Sequence, residues 1–154
     1  EGRGPVAYDV ASFDVGLTSK MDLPGLAEYG TGAKPLDAYA ANWHKFLHQV
    51  SQGELAPKVA VIGGGFSGCE LAMAMAFAIK SIGVKPSVTL IENSSYISGG
   101  GNTQRKILAA MESLEISVKT GVKVSEICLD RVILEGQPHA IFGILVIDHG
   151  ESFP

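Results

Sequence analysis

Cysteine is scarce in this chain and badly placed for redox chemistry. Only Cys69 and Cys128 occur in 154 residues, and they form neither a CxxC nor a CxxxxC pair. That excludes a local dithiol couple and a disulfide scaffold, and leaves two buried thiols in a reducing compartment. Positive charge is also short: the formal net charge is −4, which argues against nucleic acid and anionic membrane as main partners. No apolar span approaches the ~20 residues of a membrane helix, and no charged start followed by an apolar signal core opens the chain. The most apolar window, Leu71 to Ile79, is too short to span a bilayer. There is no internal repeat and no low-complexity tract. What is present is 46% hydrophobic side chains in a chain long enough to bury the core of one ordinary α/β domain.

The informative stretch is KVAVIGGGFSGCELAMAMAFAIKSIGVKPSVTLIE at 58–92. A short apolar run, Val59 to Ile62, leads into Gly63-x-Gly65-x-x-Gly68, and a helical pattern follows from Phe66. A second β-like run, Val88 to Ile91, ends on Glu92. Strand, glycine turn, helix, strand, acid is the order a dinucleotide site requires. Gly63 turns the chain off the strand, Gly65 lets the backbone approach a pyrophosphate, and Gly68 lets helix and strand pack closely. The helix N-terminus offers free N–H groups and a positive dipole end to the phosphates. Glu92 lies roughly 24 residues beyond Gly68, near the ~20 expected of a ribose-binding carboxylate. A carboxylate there repels a 2′-phosphate, and Asn93, Ser94, Ser95 and Tyr96 include no Arg or Lys to offset it, so NAD(H) is expected over NADP(H). An FAD ribose would suit the same acid. The expected cofactor-binding set is Gly63, Gly64, Gly65, Phe66, Ser67, Gly68, Glu70, Glu92 and Asn93.

Elsewhere, VAYDVASFDV at 6–15 reads as a strand and Leu23-Pro24-Gly25 as a turn. Pro35 is expected at the first position of a helix carrying an apolar stripe of Leu36, Ala40, Trp43, Leu47 and Val50, flanked by Tyr39 and Phe46. The next helix runs from Phe66 to Ser81 with Gly83 as its C-terminal cap. Gly99-Gly100-Gly101 reads as a flexible loop, followed by a helix with Ile107, Leu108, Met111 and Leu114 on one face. Then come β-like runs at Ile116–Lys119, Val122–Leu129 and Val132–Leu134, with a tight hairpin at Asp130-Arg131, and a last strand from Phe142 to Ile147. The order implies a Rossmann-like βαβαβ parallel sheet with an antiparallel β-meander. The helix at 66–81 is apolar on every side, so something beyond this sheet, a further domain or a partner subunit, should cover part of it.

Other candidates carry simpler readings. His44 and His48 have zinc-compatible spacing, but Lys45 stands where a zinc-protease helix carries its acid, and no third ligand is nearby. They read as a solvated helix edge, and no metal is expected. Cys69 lies near a helix N-terminus, a position that can lower a thiol pKa, but without a partner cysteine it reads as a packing residue. Trp43 reads as core. Glu70, one turn into the helix, gains from the helix dipole.

With these residues in view, the chain resembles the pyridine nucleotide–disulfide oxidoreductase superfamily, whose members hold FAD in one Rossmann-like domain and NAD(P)H in a second one inserted into it. GGGFSGCELA at 63–72 resembles the second nucleotide motif, including the acid at Glu70, which the resemblance places near the nicotinamide. YDVASFDVG at 8–16 with DLPG at 22–25, and FGILVIDHG at 142–150, resemble the passages where the chain leaves and re-enters the flavin domain. Asp14-Val15 and Asp148-His149 depart from the Ala-Thr of those passages. Lys34-Pro35 and the lack of a cysteine pair point to the type-II NADH dehydrogenase-like group and its selenophosphate synthetase-associated relatives. Lys34 and His149 come into consideration as flavin neighbours.

The resemblance implies a stub at 1–34, an NAD(H)-binding domain at 35–141, and a return to the flavin domain at 142–154. It implies an enzyme passing hydride from NADH to FAD and on to a quinone or other acceptor. The FAD-binding motifs are absent from the sequence, so this chain alone is expected to bind nucleotide without turnover. The expected partner is a flavin-binding domain or subunit on helix 66–81, and the expected location cytoplasmic or peripheral to a membrane. Two rivals are a stand-alone NAD-dependent dehydrogenase and a non-catalytic nucleotide-binding module. The first lacks a YxxxK pair at Tyr29, Tyr39 or Tyr96.

Overall fold

A computed structural model describes residues 23–136, 141–142 and 145–148. The elements are α1 (Leu26–Tyr29), β1 (Gly30–Gly32), α2 (Leu36–Ser51), β2 (Lys58–Ile62), α3 (Phe66–Ser81), β3 (Ser87–Ile91), α4 (Gly101–Ser113), β4 (Ser117–Lys119), β5 (Val124–Ile127), β6 (Arg131–Leu134), β7 (Ile141–Phe142) and β8 (Leu145–Asp148). A parallel sheet of order β1-β8-β2-β3-β4 faces an antiparallel sheet of order β5-β6-β7. The Rossmann-like parallel sheet with its β-meander is therefore present. The run expected as a strand at 6–15, and His149, lie outside the described residues.

Both faces of the parallel sheet are covered, which is why its strands read as unbroken apolar runs. Val59, Val61, Val88 and Leu90 pack with Ala72, Met75, Ala76 and Ile79 of α3, and with Phe46, Val50 and Met111 of the flanking helices. The alternate residues Ala60 and Ile91 face the other way, onto Leu26, Val124, Ile127, Val132 and Leu134. The period of two along each strand thus divides one sheet between a helical layer and the meander. Leu90 and Ile79 are fully buried, and truncating either to Ala costs ~2–5 kcal/mol.

Helix α3 stops where glycine allows it. Gly83 has φ 80°; its N–H donates to Lys80 O at 3.0 Å and that of Val84 to Ile79 O at 3.4 Å. This is a Schellman cap. The same pair of bonds closes α4, from Glu115 to Glu112 and from Ile116 to Met111, both 3.0 Å, but Glu115 occupies the left-handed position at φ 58°.

Several boundaries differ from the sequence expectation. Pro35 is the N-cap, with extended ψ of 149°, and α2 starts at Leu36. The buried stripe centres on Phe46 and Val50 with Tyr39, Trp43 and Leu47 against it; Leu36 in the first turn is 70% exposed and does not belong to it. Trp43 stacks on Phe46 with ring centroids 5.5 Å apart. The glycine run does not stay wholly a loop, since Gly101 opens α4. The hairpin turns at Leu129-Asp130, with Cys128 N–H donating to Arg131 O at 2.8 Å, so Arg131 already belongs to β6. The expected strand Phe142–Ile147 is two strands: Ile141–Phe142 pairs with β6, and Leu145–Asp148 pairs with β1 and β2. An apolar run cannot declare which of two sheets each half joins.

Candidate dinucleotide site

The glycine turn and the acid meet at the C-terminal ends of β2 and β3, which run parallel in register from Lys58↔Ser87 to Ile62↔Ile91. Gly63 has φ 103°, a conformation that side-chain-bearing residues resist, and its N–H donates to Ile91 O at 2.8 Å. Gly64 is buried. A Cβ added there would lie 2.7 Å from Ile97 Cγ2 and 2.9 Å from Glu92 Cβ, so a larger residue here would have to push one of them aside.

Glu92 is half-buried and braced by backbone amides. One carboxylate oxygen accepts the Gly64 N–H at 2.5 Å and the other accepts the Ser94 N–H at 2.6 Å. Its own N–H donates to Lys119 O at 2.8 Å, and its carbonyl accepts from Val122 N–H at 3.1 Å. The acid is therefore locked at the rim of the turn. Each carboxylate oxygen keeps lone-pair capacity for a further donor, such as a ribose hydroxyl.

At the start of α3, the first backbone bond runs from Cys69 N–H to Gly65 O at 3.0 Å. The preceding amides of Phe66, Ser67 and Gly68 have no backbone partner among the described residues. These orphan donors and the aligned helix dipole form an anion-binding end. Phe66, Ser67 and Glu70 are exposed while Gly68 and Cys69 are buried. Asn93 to Tyr96 form an exposed rim held in place where Gly121 N–H donates to Ser94 O at 2.7 Å.

Burial pushes the Cys69 thiol above its ordinary range; the Glu92 and Glu70 carboxylates add to this, and the Ser98 hydrogen bond partly opposes it. Desolvation is the largest of these causes, so the lowering that a helix N-terminus can give a thiol is not what this site shows. The loop beyond the acid holds two residues that sequence reasoning passed over. Ile97 is fully buried and Ser98 nearly so, both directly under Gly64. The one signal was a lone apolar residue in a polar, glycine-rich loop. His44 and His48 are exposed, and no metal-holding cluster occurs among the described residues. No helix among them is long and apolar enough to cross a membrane.

Comparison with known proteins follows the same lines. The family model described as "Pyridine nucleotide-disulphide oxidoreductase" matches residues 16–144. No curated protein sequence matches significantly. Among solved structures, NDH2 of Plasmodium falciparum in complex with NADH superposes with a TM-score of 0.75 at 19% identity, covering 87% of this chain and 33% of its own. Sulfide:quinone oxidoreductase of the hyperthermophilic bacterium Aquifex aeolicus gives 0.70 at 20%, with coverage of 85% and 33%. The water-forming NADH oxidase of Lactobacillus brevis bound to NADH gives 0.63 at 17%, with 84% and 27%. The chain thus spans about a third of the length of these proteins or slightly less.

Proposed function

The chain belongs to the pyridine nucleotide-disulphide oxidoreductase family, whose members use NAD(H) and FAD, and from that premise we propose that it is the NAD(H)-binding part of an FAD-dependent oxidoreductase. The carrying observation is the junction of orphan amides at Phe66, Ser67 and Gly68 with a carboxylate anchored 2.5 Å from Gly64 N. The residues fit a dinucleotide: the amides face the pyrophosphate, Glu92 takes the adenosine ribose, and Gly63, Gly64 and Gly65 give the backbone access. Asn93 flanks the ribose, and Glu70 lies toward the nicotinamide.

When bound, the nicotinamide and the flavin supply the hydride chemistry. This chain's part is to hold and orient the nucleotide. The preferred form is NAD(H), since Glu92 opposes a 2′-phosphate. The proposed division is a linker at 1–34, the nucleotide-binding unit at 35–141, and a return to a flavin-binding domain at 142–154, with a quinone or other acceptor reduced by the whole enzyme. That coverage of about a third of the compared chains supports this arrangement over a self-sufficient dehydrogenase.

A flavin-binding domain or subunit is proposed to cover the outer face of α3, where Phe66 and Phe77 are 58% and 65% exposed. The complete enzyme would work in the cytoplasm or at a membrane surface. Calorimetric titration of the chain with NADH, NADPH and FAD tests the core of this reading. NADH should bind most tightly of the three. No binding of any of them, or tightest binding of FAD, would overturn it.

A further inference from the structure

Beneath the glycine turn, one carbonyl oxygen sits among several donors. Gly64 O accepts the Ser98 N–H at 2.8 Å. Ser98 Oγ lies 3.2 Å from the same oxygen and Cys69 Sγ 3.4 Å from it. Sγ and Oγ are themselves 3.1 Å apart. Each of these side chains has one hydrogen, so two arrangements close the ring. Either the hydroxyl donates to the carbonyl and the thiol to the hydroxyl, or the hydroxyl donates to the thiol and the thiol to the carbonyl. In both, Gly64 O receives a backbone donor and a side-chain donor. All of this is buried.

The consequence lies on the opposite side of the same peptide unit. In a planar trans peptide the C=O and the following N–H point in opposite directions. Holding Gly64 O inward therefore turns the Gly65 N–H outward, to the side where the anion-binding end of α3 opens. A buried carbonyl with two donors does not swing easily, because leaving them unpaired is costly. A second feature marks the device: Ser98 has φ 45°, a left-handed conformation disfavoured for any residue with a Cβ.

We infer that Ser98, assisted by Cys69, is a positioning residue that aims the Gly65 N–H at the pyrophosphate of the bound dinucleotide. This rests on the dinucleotide-binding reading given above, and touches no nucleotide atom itself. The strained backbone is kept because the Ser98 N–H and hydroxyl must converge on one oxygen.

Two variants separate positioning from mere stability. Ser98→Ala removes the hydroxyl and keeps the strained φ. Ser98→Gly removes the hydroxyl and relieves the strain, so its unfolding midpoint should exceed that of Ser98→Ala. Both are made in a Cys69→Ala background, where the thiol cannot take over as donor to Gly64 O. If Ser98 orients the turn, both then lose NADH affinity by about three- to ten-fold relative to Cys69→Ala, the range of one hydrogen bond, although their stabilities differ. Affinity that follows stability, with Ser98→Gly binding as tightly as its Cys69→Ala parent, would overturn the inference. So would unchanged affinity in Ser98→Ala relative to that parent, while wild-type binding left the dinucleotide reading standing. A wild-type chain that binds none of NADH, NADPH or FAD overturns the reading and this inference together.

Discussion

The Glu92 carboxylate accepts the Gly64 N–H at 2.5 Å across 28 residues of sequence. This contact joins the two halves of the site, since Gly64 belongs to the turn after β2 and Glu92 ends β3. It also gives Glu92 two tasks, bracing the turn and presenting an anion to a ribose.

Because of the double task, Glu92→Gln disturbs the turn less than Glu92→Ala. It keeps one acceptor oxygen for the Gly64 N–H and removes the charge, but its amide NH2 then faces the Ser94 N–H, so the ratio of the two nucleotides, and not the absolute loss, is the readout. The loss of a charge-assisted bond, worth roughly 1.5–3 kcal/mol, should weaken NADH binding about ten-fold or more. NADPH should lose less or gain, because repulsion of its 2′-phosphate is relieved. Titration of both nucleotides decides it; an equal loss for both would show that Glu92 does not discriminate.

Gly64→Ala should damage the site from below. The new methyl would meet Ile97 Cγ2 at 2.7 Å and Glu92 Cβ at 2.9 Å. Overpacking of this kind costs ~1–3 kcal/mol. Urea unfolding should show that loss, together with weakened NADH binding. A variant as stable as wild type would mean that the loop at Ile97 yields freely.

Glu115→Gly should stabilise the fold. Glu115 holds φ 58° at the end of α4, where glycine is at ease. Its exposed ion pair with Lys85, at 3.2 Å, adds little. The net gain should be about 0.5–1 kcal/mol, relief of left-handed strain less the entropy of glycine. A lower denaturation midpoint would contradict this.

The Cys69 thiol is held protonated, its pKa raised chiefly by burial. A thiol with a raised folded pKa stabilises the native state fully below its ordinary range, and that contribution is lost as pH rises through the raised value. Stability should therefore be flat in this respect at neutral pH and fall more steeply in alkali than in Cys69→Ala. Parallel alkaline profiles for the two would remove the thiol as the cause.

Phe77→Ser should leave the unfolding free energy of this chain within about 0.5 kcal/mol, as surface changes usually do, since Phe77 is 65% exposed. The same change should weaken association with a flavin-binding domain supplied in trans. A large loss of stability in the isolated chain would mean that Phe77 packs within it.

Local spacing sufficed for much of this molecule. The run Val59–Ile62, the turn at Gly63–Gly68 and the helix to Ser81 were legible because a strand, a positive φ and a helical period each depend on neighbours a few residues away. Gly83 declared its cap for the same reason. Tertiary structure alone decided where Glu92 sends its two oxygens, that Ser98 reaches Gly64 across 34 residues, that Leu36 falls outside the core, and that the chain between Ile141 and Asp148 serves two sheets. Such contacts arise only when distant segments are brought together, and a hydrogen bond across that distance leaves no period in the sequence. The glycine motif marked where a nucleotide would sit, and the closing of β3 and its loop against β2 decided what holds the turn in place.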